Sequence, residues 1–280
     1  SSWQRSLDQW ELICIPISTA SDGSLTPDEL VQAAVAMGLE GIALTDHDSV
    51  DGLDQALAAG EQYGLPVIPG VELATDFGRE EVHILGYGFN RRDLHLVAKL
   101  DRIRQARLDR ARGMVERLQR VGANITWYDV VSLSNGRFVG RTHIYRALKA
   151  KGFIGEDPLG QAFNYYLGTE GLAYLPHREI ETFEAIDLIR NTGGFPVLAH
   201  PGRMGRESML KALVDRGLAG IEVYYPTHTP GQIQSFRRLA KKFGLLVTGG
   251  SDFHGDFGRT SLGQAQVSPE IFCYFLQKRE

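Results

Sequence analysis

The chain has 280 residues, 43% of them hydrophobic and 23% charged, which is typical of a soluble globular protein with a sizeable core. Its net charge of −4 excludes a broadly basic surface for long nucleic acids, although local arginines can still bind a few phosphates. Because the two cysteines lie far apart and no apolar run approaches the roughly 18 residues of a membrane helix, we expect a cytoplasmic protein without a disulfide framework or a membrane segment.

The first elements alternate between helix and strand. In Thr26-Pro27-Asp28-Glu29, a threonine that can cap a helix precedes a proline suited to the first helical position and a glutamate placed for a capping box. This pattern predicts a helix that ends near Gly38. Further along, apolar runs predict strands over residues 41–45, 65–71 and 82–87, and helical spacing predicts a helix over residues 53–63.

The middle of the chain is predicted to be helical. Its periodicity indicates helices over about residues 94–121, 141–150 and 159–167, and no strand before residues 173–175. We interpret residues 92–172 as a helical insertion subdomain within an α/β domain formed by residues 11–91 and 173–280. The helix predicted over residues 94–121 carries several arginines, which we interpret as a solvated face with scattered partners. They are Arg102, Arg104, Arg107, Arg110 and Arg112.

Strand and helix alternate again in the last third of the chain. Helices are predicted over residues 182–191, 208–216 and 232–243, and strands over residues 196–199, 221–223 and 245–248. Strands that alternate with helices of this length are typical of βα units and a parallel sheet.

Histidines and carboxylates occur at several of these strands. They are His47, Glu72, His83, His200, Asp252 and His254. The carboxyl ends of parallel strands form the active-site rim of α/β folds. Taken singly, such a histidine is more often a polar loop residue, and a carboxylate such as Asp48 is more often a helix cap. Their recurrence favours a metal cluster, and mixed imidazole and carboxylate ligands suit Zn, Mn or Fe better than Ca or Mg.

Six segments carry these residues in recognisable motifs. They are Ser18-Thr19-Ala20-Ser21-Asp22-Gly23, Leu44-Thr45-Asp46-His47-Asp48, Pro69-Gly70-Val71-Glu72, Val82-His83-Ile84-Leu85-Gly86, Leu198-Ala199-His200-Pro201-Gly202 and Gly250-Ser251-Asp252-Phe253-His254. Together they resemble the PHP family, named for polymerase and histidinol phosphatase, over about residues 11–263. The resemblance implies an α/β fold, a distorted (βα)7 TIM-like barrel with a helical insertion, that hydrolyses phosphoesters with up to three metal ions.

The resemblance also implies the substrates and the metal ligands. The expected partners are a phosphorylated small molecule, a nucleotide such as a nucleoside 3′,5′-bisphosphate, or a short oligonucleotide trimmed from its 5′ end, with no stable protein partner. Three ligand groups are implied: Glu72, His83 and His200; Asp22, His47 and His254; and Asp252 with Glu72 and a His-x-His pair at the end of the first strand.

That His-x-His pair is missing from this chain. Ile15 and Ile17 take its positions if Ser18 fixes the alignment, and Ile13 and Ile15 take them if Glu11-Leu12 fixes it. Isoleucine has no atom that can ligate a metal. We therefore predict two or three divalent metals (Mn, Zn or Fe). The site that the missing His-x-His pair would complete is predicted to be weak or empty, and the other two groups keep three ligands each.

Other residues are candidates for substrate binding and proton transfer. Arg141 and His143 resemble a family motif at the start of an inserted helix, and Arg203 closely follows His200. Arginine binds phosphate through two parallel hydrogen bonds, so we predict that Arg141, His143 and Arg203 contact substrate and that Arg203 offsets developing charge. His143 or His254 is predicted to protonate the leaving group. Histidines outside any motif are predicted to be structural, namely His95, His177 and His228.

Three functions remain open at this point. A metal-dependent phosphoesterase with an altered metal set fits the retained ligands. The isoleucines, and the absence of a lysine that close relatives tend to carry within residues 168–174, favour a catalytically impaired relative that binds metal or a phosphorylated ligand. A metal-dependent amidohydrolase is the third hypothesis, because a barrel fold does not determine the chemistry. Turnover of an aryl phosphate separates the first hypothesis from the second, and phosphate inhibition separates both from the third.

Overall fold

A computed structural model describes residues 13–14, 16–78, 80–134, 138–157, 160–176, 179–203, 207–254, 260–265 and 269–277. Its strands are β1 (Ile13–Cys14), β2 (Gly41–Leu44), β3 (Val67–Phe77), β4 (Glu80–Tyr87), β5 (Phe195–Leu198), β6 (Gly220–Tyr224) and β7 (Leu246–Gly249). Its helices are α1 (Pro27–Ala36), α2 (Leu53–Tyr63), α3 (Leu94–Arg120), α4 (Trp127–Val131), α5 (Arg141–Ala150), α6 (Gln161–Leu167), α7 (Thr182–Asn191), α8 (Glu207–Arg216), α9 (Pro230–Phe243) and α10 (Pro269–Gln277).

The seven strands form one sheet in chain order. The pairs β1–β2, β2–β3, β5–β6 and β6–β7 are parallel, whereas β4 is antiparallel to both of its neighbours. The predicted α/β class is therefore confirmed, but a wholly parallel sheet is wrong. The error lies in β3, which continues past residue 71 to Phe77 and is followed by Gly78, whose φ of 68° suits glycine. With no helix between them, β3 and β4 pair as a hairpin would.

The sheet is curled. Pro16, which follows β1, forms a parallel bridge with Phe253, which follows β7. The backbone N–H of Ile17 also donates to the carbonyl of Phe253 at 3.0 Å. The carboxyl ends of the first and last strands therefore approach each other, and residues that follow the strands are gathered at this end of the sheet.

The start of α1 follows the predicted capping box. Thr26 accepts a hydrogen bond from the backbone N–H of Glu29 at 3.2 Å, and the Glu29 carboxylate accepts one from the backbone N–H of Thr26 at 2.8 Å. These two bonds satisfy donors that a helix start leaves without partners. Because α1 leads directly into β2, the cap helps to fix the strand that precedes His47.

The apolar residues form two main cores that share α3. The first core packs α1, α2, α7 and α8 on the sheet and includes Leu96 and Leu100 from the start of α3. The second contains Met114 and Leu118 from later in α3, together with residues of α4, α5 and α6. The division at residues 92 and 172 stays a prediction, since α3 contributes to both cores. The strand predicted over residues 173–175 is wrong, because this segment is irregular.

The prediction of a solvated arginine face on α3 holds for Arg102 and Arg112, which are exposed, and is wrong for the other three arginines. Arg104 and Arg107 are buried, and they pair with Asp51 and Asp48 from the loop after β2. Arg110 Nε lies 3.3 Å from Glu179 Oε1, with both side chains less than a tenth exposed. The spacing of charges on a helix cannot reveal carboxylates that approach from distant parts of the chain, so the sequence interpretation failed for these three residues.

Within the described parts of the chain, no helix combines the length and the apolar character needed to cross a membrane.

Gly70 offers a test of the packing that positions Glu72. A Cβ atom at Gly70 would lie 2.6 Å from Thr45 Cγ2 and 2.7 Å from the carbonyl oxygen of Leu44. Since that oxygen belongs to β2, we expect Gly70→Ala to lower the free energy of unfolding by about 1–3 kcal/mol in urea denaturation. Gly155→Ala is the matched control, because nothing lies within 4 Å of its Cβ position. Equal stability of the two variants would contradict this account of the packing.

Candidate metal centre

The strand ends at the curled edge of the sheet carry the candidate residues in unusual backbone conformations. Among the described residues, the non-glycine residues with positive φ are Asp48, His200 and Asp252. His200 and Asp252 are themselves candidate metal ligands after β5 and β7, and Asp48 is next to the candidate His47 after β2. Such conformations cost free energy and persist where the surrounding structure holds them, which is common at functional sites.

His47 lies between two anchored aspartates. Asp46 accepts hydrogen bonds from Ser18 N and Ser18 Oγ, both at 2.7 Å, and from Ser21 Oγ at 2.8 Å. Asp48 accepts one from Ala74 N at 3.2 Å and also pairs with Arg107. Asp48 is thus a structural anchor rather than the helix cap considered from sequence. Both flanking side chains are buried and bonded, so His47 is presented in a fixed position.

Phe138 packs against the same histidine. Its ring stacks on His47 with centroids 6.5 Å apart and an interplanar angle of 14°. The Arg107 guanidinium lies 4.8 Å from the centre of the Phe138 ring, a distance typical of cation–π contacts. Arg107 therefore contacts two of the neighbours of His47, namely Asp48 and Phe138.

Glu72 lies at the centre of the site. Its Oε1 is 2.6 Å from His83 Nδ1 and 3.3 Å from His200 Nε2, and its Oε2 is 3.9 Å from His47 Nδ1. The residue is 3% exposed. Burial opposes its ionisation, but His47, His200 and His83 outweigh burial and hold the pKa of Glu72 well below its usual range. One charged carboxylate is therefore shared among three imidazoles.

Asp22, His47 and His254 form a second group of donors. Their ligand atoms all lie within 4.8 Å of one another. Asp22 Oδ1 is 3.5 Å from His254 Nε2, while Asp22 Oδ2 accepts a hydrogen bond from Thr142 Oγ1 at 2.9 Å. Burial opposes ionisation of Asp22, yet the nearby histidines lower its pKa. This group joins the ends of β2 and β7 to the residues after β1.

The donor atoms of this second group fit a divalent cation. Asp22 Oδ1 and His47 Nδ1 are buried, and neither has a hydrogen-bond partner. Buried polar atoms without partners are costly, so their presence needs an explanation. Two donors about 2.1 Å from one ion stand about 3.4 Å apart at the tetrahedral angle, close to the 3.5 Å between Asp22 Oδ1 and His254 Nε2. His47, Glu72 and His83 form a further group with donors within 4.8 Å.

The predicted third group is organised differently. Asp252 Oδ2 accepts a hydrogen bond from the Tyr225 hydroxyl at 2.9 Å. Ile17 is 1% exposed and offers no donor atom, while Ile15 lies outside the described residues. A small cavity next to Asp252 is lined by Thr45, Glu72, Leu85, Ala199, His200, Glu222 and Asp252. Burial raises the pKa of Glu222 well above its usual range, so this cavity favours a neutral Glu222.

The predicted substrate-binding residues lie on two sides of this site. Arg141 Nη2 donates to Glu81 Oε1 at 2.8 Å, and that oxygen is 3.0 Å from His83 Nε2. His143 is buried and its Nδ1 accepts a hydrogen bond from Gly140 N at 3.1 Å. Arg203 ends the 3-10 turn that follows His200, and its side chain lies outside the described structure.

The histidines predicted to be structural differ in their positions. His228 Nδ1 donates to the carbonyl of Val223 at 2.8 Å, and its Nε2 accepts a hydrogen bond from Gly202 N at 3.2 Å, so it ties the turn after His200 to β6. His95 is exposed near the start of α3, and His177 lies outside the described residues. The contacts of His228 are structural ones, as predicted.

Three residues near the site were missed by the sequence analysis. Glu81 contacts His83, Glu222 accepts a hydrogen bond from His200 N at 2.7 Å, and Tyr225 binds Asp252. A signal for Glu81 was present, because residues two apart in a strand share a face. A lone glutamate in the apolar strand β6 was a comparable signal for Glu222. Nothing in the sequence pattern distinguishes Tyr225 from Tyr224.

Comparisons with known proteins agree with the arrangement of the site. A family model described as the PHP domain matches residues 18–129. A 3′,5′-nucleoside bisphosphate phosphatase of Chromobacterium violaceum is 36% identical over 91% of this chain and 91% of its own length. A 5′-3′ exoribonuclease of Haemophilus influenzae is 35% identical over 88% of this chain and 91% of its own. The likeness to both therefore extends through the helical region and the last third of the chain.

The fold has a solved counterpart of similar size. A structure from Bifidobacterium adolescentis, whose name assigns it to the metal-dependent phosphoesterases, has a TM-score of 0.87 and 33% identity. It covers 95% of this chain, and 96% of its own chain is matched. The curled sheet and the helices of the middle region thus occur together in that protein as well.

Removal of Arg107 tests how strongly the helical region holds the loop that carries His47. Its partner Asp48 has a side chain only 1% exposed, so Arg107→Met would leave a buried charge without its cation. We expect the free energy of unfolding to fall by roughly 3–5 kcal/mol. Lys211→Met is the control, since its pair with Asp215 is 63% exposed on both sides and should contribute about 0–1 kcal/mol. Similar urea midpoints for both variants would contradict the prediction.

Proposed function

Because this chain belongs to the PHP family of metal-dependent phosphoesterases, we propose that it removes phosphate from nucleotides, with nucleoside 3′,5′-bisphosphates or the 5′ ends of short oligonucleotides as substrates. The observation that carries the proposal is the position of Glu72, whose two carboxylate oxygens face different histidines. The alternative substrate classes follow from the names of two relatives, one a nucleoside bisphosphate phosphatase and the other an exoribonuclease.

We further propose that two donor groups hold divalent cations. Glu72, His83 and His200 would form one group, and Asp22, His47 and His254 would form the other. The ions would be Mn, Zn or Fe, since imidazole and carboxylate donors are mixed. Bound cations of this kind lower the pKa of water and stabilise charge on a phosphoryl group. The third family position would stay weak or empty, because Ile17 supplies no donor and Tyr225 already binds Asp252.

The finer architecture is also part of the proposal. The curled sheet, the contact between Pro16 and Phe253 and the likeness to solved relatives support a distorted (βα)7 TIM-like barrel of seven strands, in which β3 leads directly into β4 without a helix. Residues 92–172 would form the helical insertion on it. Under this proposal, the helical insertion supplies Arg141 and His143, while the barrel supplies the metal ligands.

Arg141 and Arg203 are proposed to bind substrate phosphate. Arg141 is held at the site by Glu81 and also donates to the carbonyl of Leu167 at 3.4 Å, so two of the five N–H donors of its guanidinium are used and three are left for phosphate. Arg203 lies three residues after His200, and its role rests on that position alone. Two arginines would match a substrate with more than one phosphate, since each can form a bidentate pair with one of them.

His143 is proposed to donate a hydrogen bond to the leaving group. Burial lowers the pKa of His143 to about 4, so its ring is neutral near pH 7. Because Nδ1 accepts the Gly140 N–H, the single ring proton resides on Nε2. His254 carries the alternative proton-donor role predicted from sequence. Burial opposes protonation of His254, but Asp252 and Asp22 outweigh burial and raise the pKa of His254 to about 9. Binding of a cation through Nε2 would displace the proton from that nitrogen.

Metal content and turnover test the proposed function together. The protein would be purified without chelator, and its metal measured by elemental analysis, before hydrolysis of adenosine 3′,5′-bisphosphate is assayed with added Mn. We expect about two ions per chain, and a loss of about 100-fold or more in turnover for His200→Ala and for His47→Ala, each with less metal. His95→Ala is the control, because His95 is exposed on α3 and should change neither quantity.

Each hypothesis predicts a different result in this experiment. Metal without turnover of any phosphoester would support the impaired relative. Turnover of an amide without inhibition by inorganic phosphate would support an amidohydrolase. Less than one ion per chain, even after Mn addition, would overturn the proposed metal-dependent activity.

Substitution of His143 separates hydrogen bonding to the leaving group from metal binding. We expect His143→Ala to keep its metal, because His143 belongs to neither proposed ligand group, while its turnover falls by about 100-fold, as is typical for loss of one hydrogen bond to a developing negative charge. The loss should be smaller for a substrate whose leaving group needs no proton, such as a nitrophenyl phosphate. Equal turnover of the variant and the wild type on adenosine 3′,5′-bisphosphate would remove His143 from the mechanism.

A further inference from the structure

Both ring nitrogens of His83 contact carboxylates. Nδ1 lies 2.6 Å from Glu72 Oε1, and Nε2 lies 3.0 Å from Glu81 Oε1. Glu72 Oε1 is also 3.3 Å from His200 Nε2, so the Nδ1 side of His83 faces the proposed metal group. Glu81 is on the opposite side of the imidazole and belongs to neither proposed ligand group.

We propose that Glu81 is a positioning residue that orients both His83 and Arg141. The proposal rests on the proposed function, since it takes His83 as a metal ligand. A neutral imidazole carries one proton, and the partner of one nitrogen decides which nitrogen can bind a metal. If Glu81 accepts the Nε2–H of His83, Nδ1 is left to face Glu72. A carboxylate in this place also holds the ring and makes it a more basic ligand.

A second histidine of the centre is held in the same manner. His254 Nδ1 donates to the backbone carbonyl of Asp252 at 2.8 Å, while its Nε2 faces Asp22 Oδ1 at 3.5 Å. In both histidines, an oxygen atom can accept a hydrogen bond from the ring nitrogen that points away from the proposed metal ligands. The acceptor for His254 is a backbone atom, whereas the acceptor for His83 is a side chain that can be changed by substitution.

Glu81 also binds the arginine proposed to hold phosphate. The same Oε1 atom accepts a hydrogen bond from Arg141 Nη2 at 2.8 Å, and both side chains are largely buried, at 11% and 21% exposed. Arg141 is the first residue of α5, whereas Glu81 is in β4. The guanidinium carbon of Arg141 lies 5.8 Å from the centre of the Tyr174 ring, so the side chain is held on a second side. Glu81 therefore links a metal ligand of the sheet to a phosphate ligand of the helical region.

A purely structural ion pair would behave differently. If Glu81 only joined β4 to α5, its loss would lower stability without changing how the folded protein binds Mn. If it orients His83 and Arg141, its loss weakens binding of both Mn and phosphate. Loss of Arg141 should weaken phosphate binding and leave Mn binding unchanged, because the contact between Glu81 and His83 does not require the arginine.

Calorimetric titration of the metal-stripped full-length chain distinguishes these cases. Mn would be titrated into wild type, Glu81→Gln, Arg141→Met and Glu80→Gln, and inorganic phosphate into the Mn-loaded proteins. We expect Glu81→Gln to weaken one Mn site by about 10- to 100-fold and to weaken phosphate binding. Glu80→Gln is the matched control, since Glu80 is the exposed neighbour in the same strand and should change neither. Wild-type Mn affinity in a folded Glu81→Gln variant would overturn the proposal.

A spectroscopic measurement keeps the proposal testable if Glu81→Gln does not fold. Long-range ¹H–¹⁵N spectra of the Zn-loaded wild type report the protonated nitrogen of each histidine, and His83→Gln identifies the signals of His83. A proton on Nε2 with the metal on Nδ1 supports the proposal, and a proton on Nδ1 overturns it. A wild type that binds neither Mn nor Zn would overturn the proposed function and this inference with it, whereas unchanged Glu81→Gln affinity overturns this inference alone.

Discussion

The ionised carboxylate of Glu72 is the constraint on which the rest of the site depends. A charge at 3% exposure must be compensated, and its compensation comes from imidazoles at β2, β4 and β5. These partners are within reach because β3 pairs directly with β2 and β4, and β5 pairs with β4. The antiparallel direction of β4 sets His83 beside Glu72 from the middle of a strand. The strand order therefore brings the imidazoles to Glu72 that compensate its buried charge.

The helical region completes the site. Arg107 from α3 neutralises Asp48 beside His47, Thr142 binds the carboxylate of Asp22, and Arg146 donates to the backbone carbonyl of Asp22 at 3.0 Å. Arg141 adds the contact with Glu81. Helices α3 and α5 therefore fix the geometry of the proposed metal ligands, which belong to the sheet and its loops. Changes in the packing of these helices should reach the candidate site through these polar contacts as well as through the apolar core that α3 shares with the sheet.

The fold class and the family could be predicted from sequence because local sequence patterns encode them. The capping box at Thr26, the short apolar strands and the motifs around His47 and His200 led to the family, the metal-dependent phosphoesterase class and the α/β fold, which are confirmed. The direction of β4 was missed because a two-residue connection through Gly78 was not recognised. The burial of Arg107 was missed for another reason, since its partner Asp48 is 59 residues away in the chain. The metal ligands themselves stay a prediction.

The negative charge of the cavity next to Asp252 is reduced by groups of the chain itself. The resemblance to the family implies a His-x-His pair that would share a cation with Glu72 and Asp252. The structure instead has the Tyr225 hydroxyl on Asp252, and burial raises the pKa of Glu222 well above its usual range, with repulsion from Glu72 and Asp252 acting in the same direction. A hydrogen-bonded aspartate and a neutral glutamic acid need less positive charge than two buried, ionised carboxylates would. Ile17 is buried, and its backbone N–H donates to the carbonyl of Phe253 next to Asp252, so an apolar side chain is accommodated here without a cation. Metal chemistry is therefore expected at the two proposed ligand groups, which are Glu72 with His83 and His200, and Asp22 with His47 and His254.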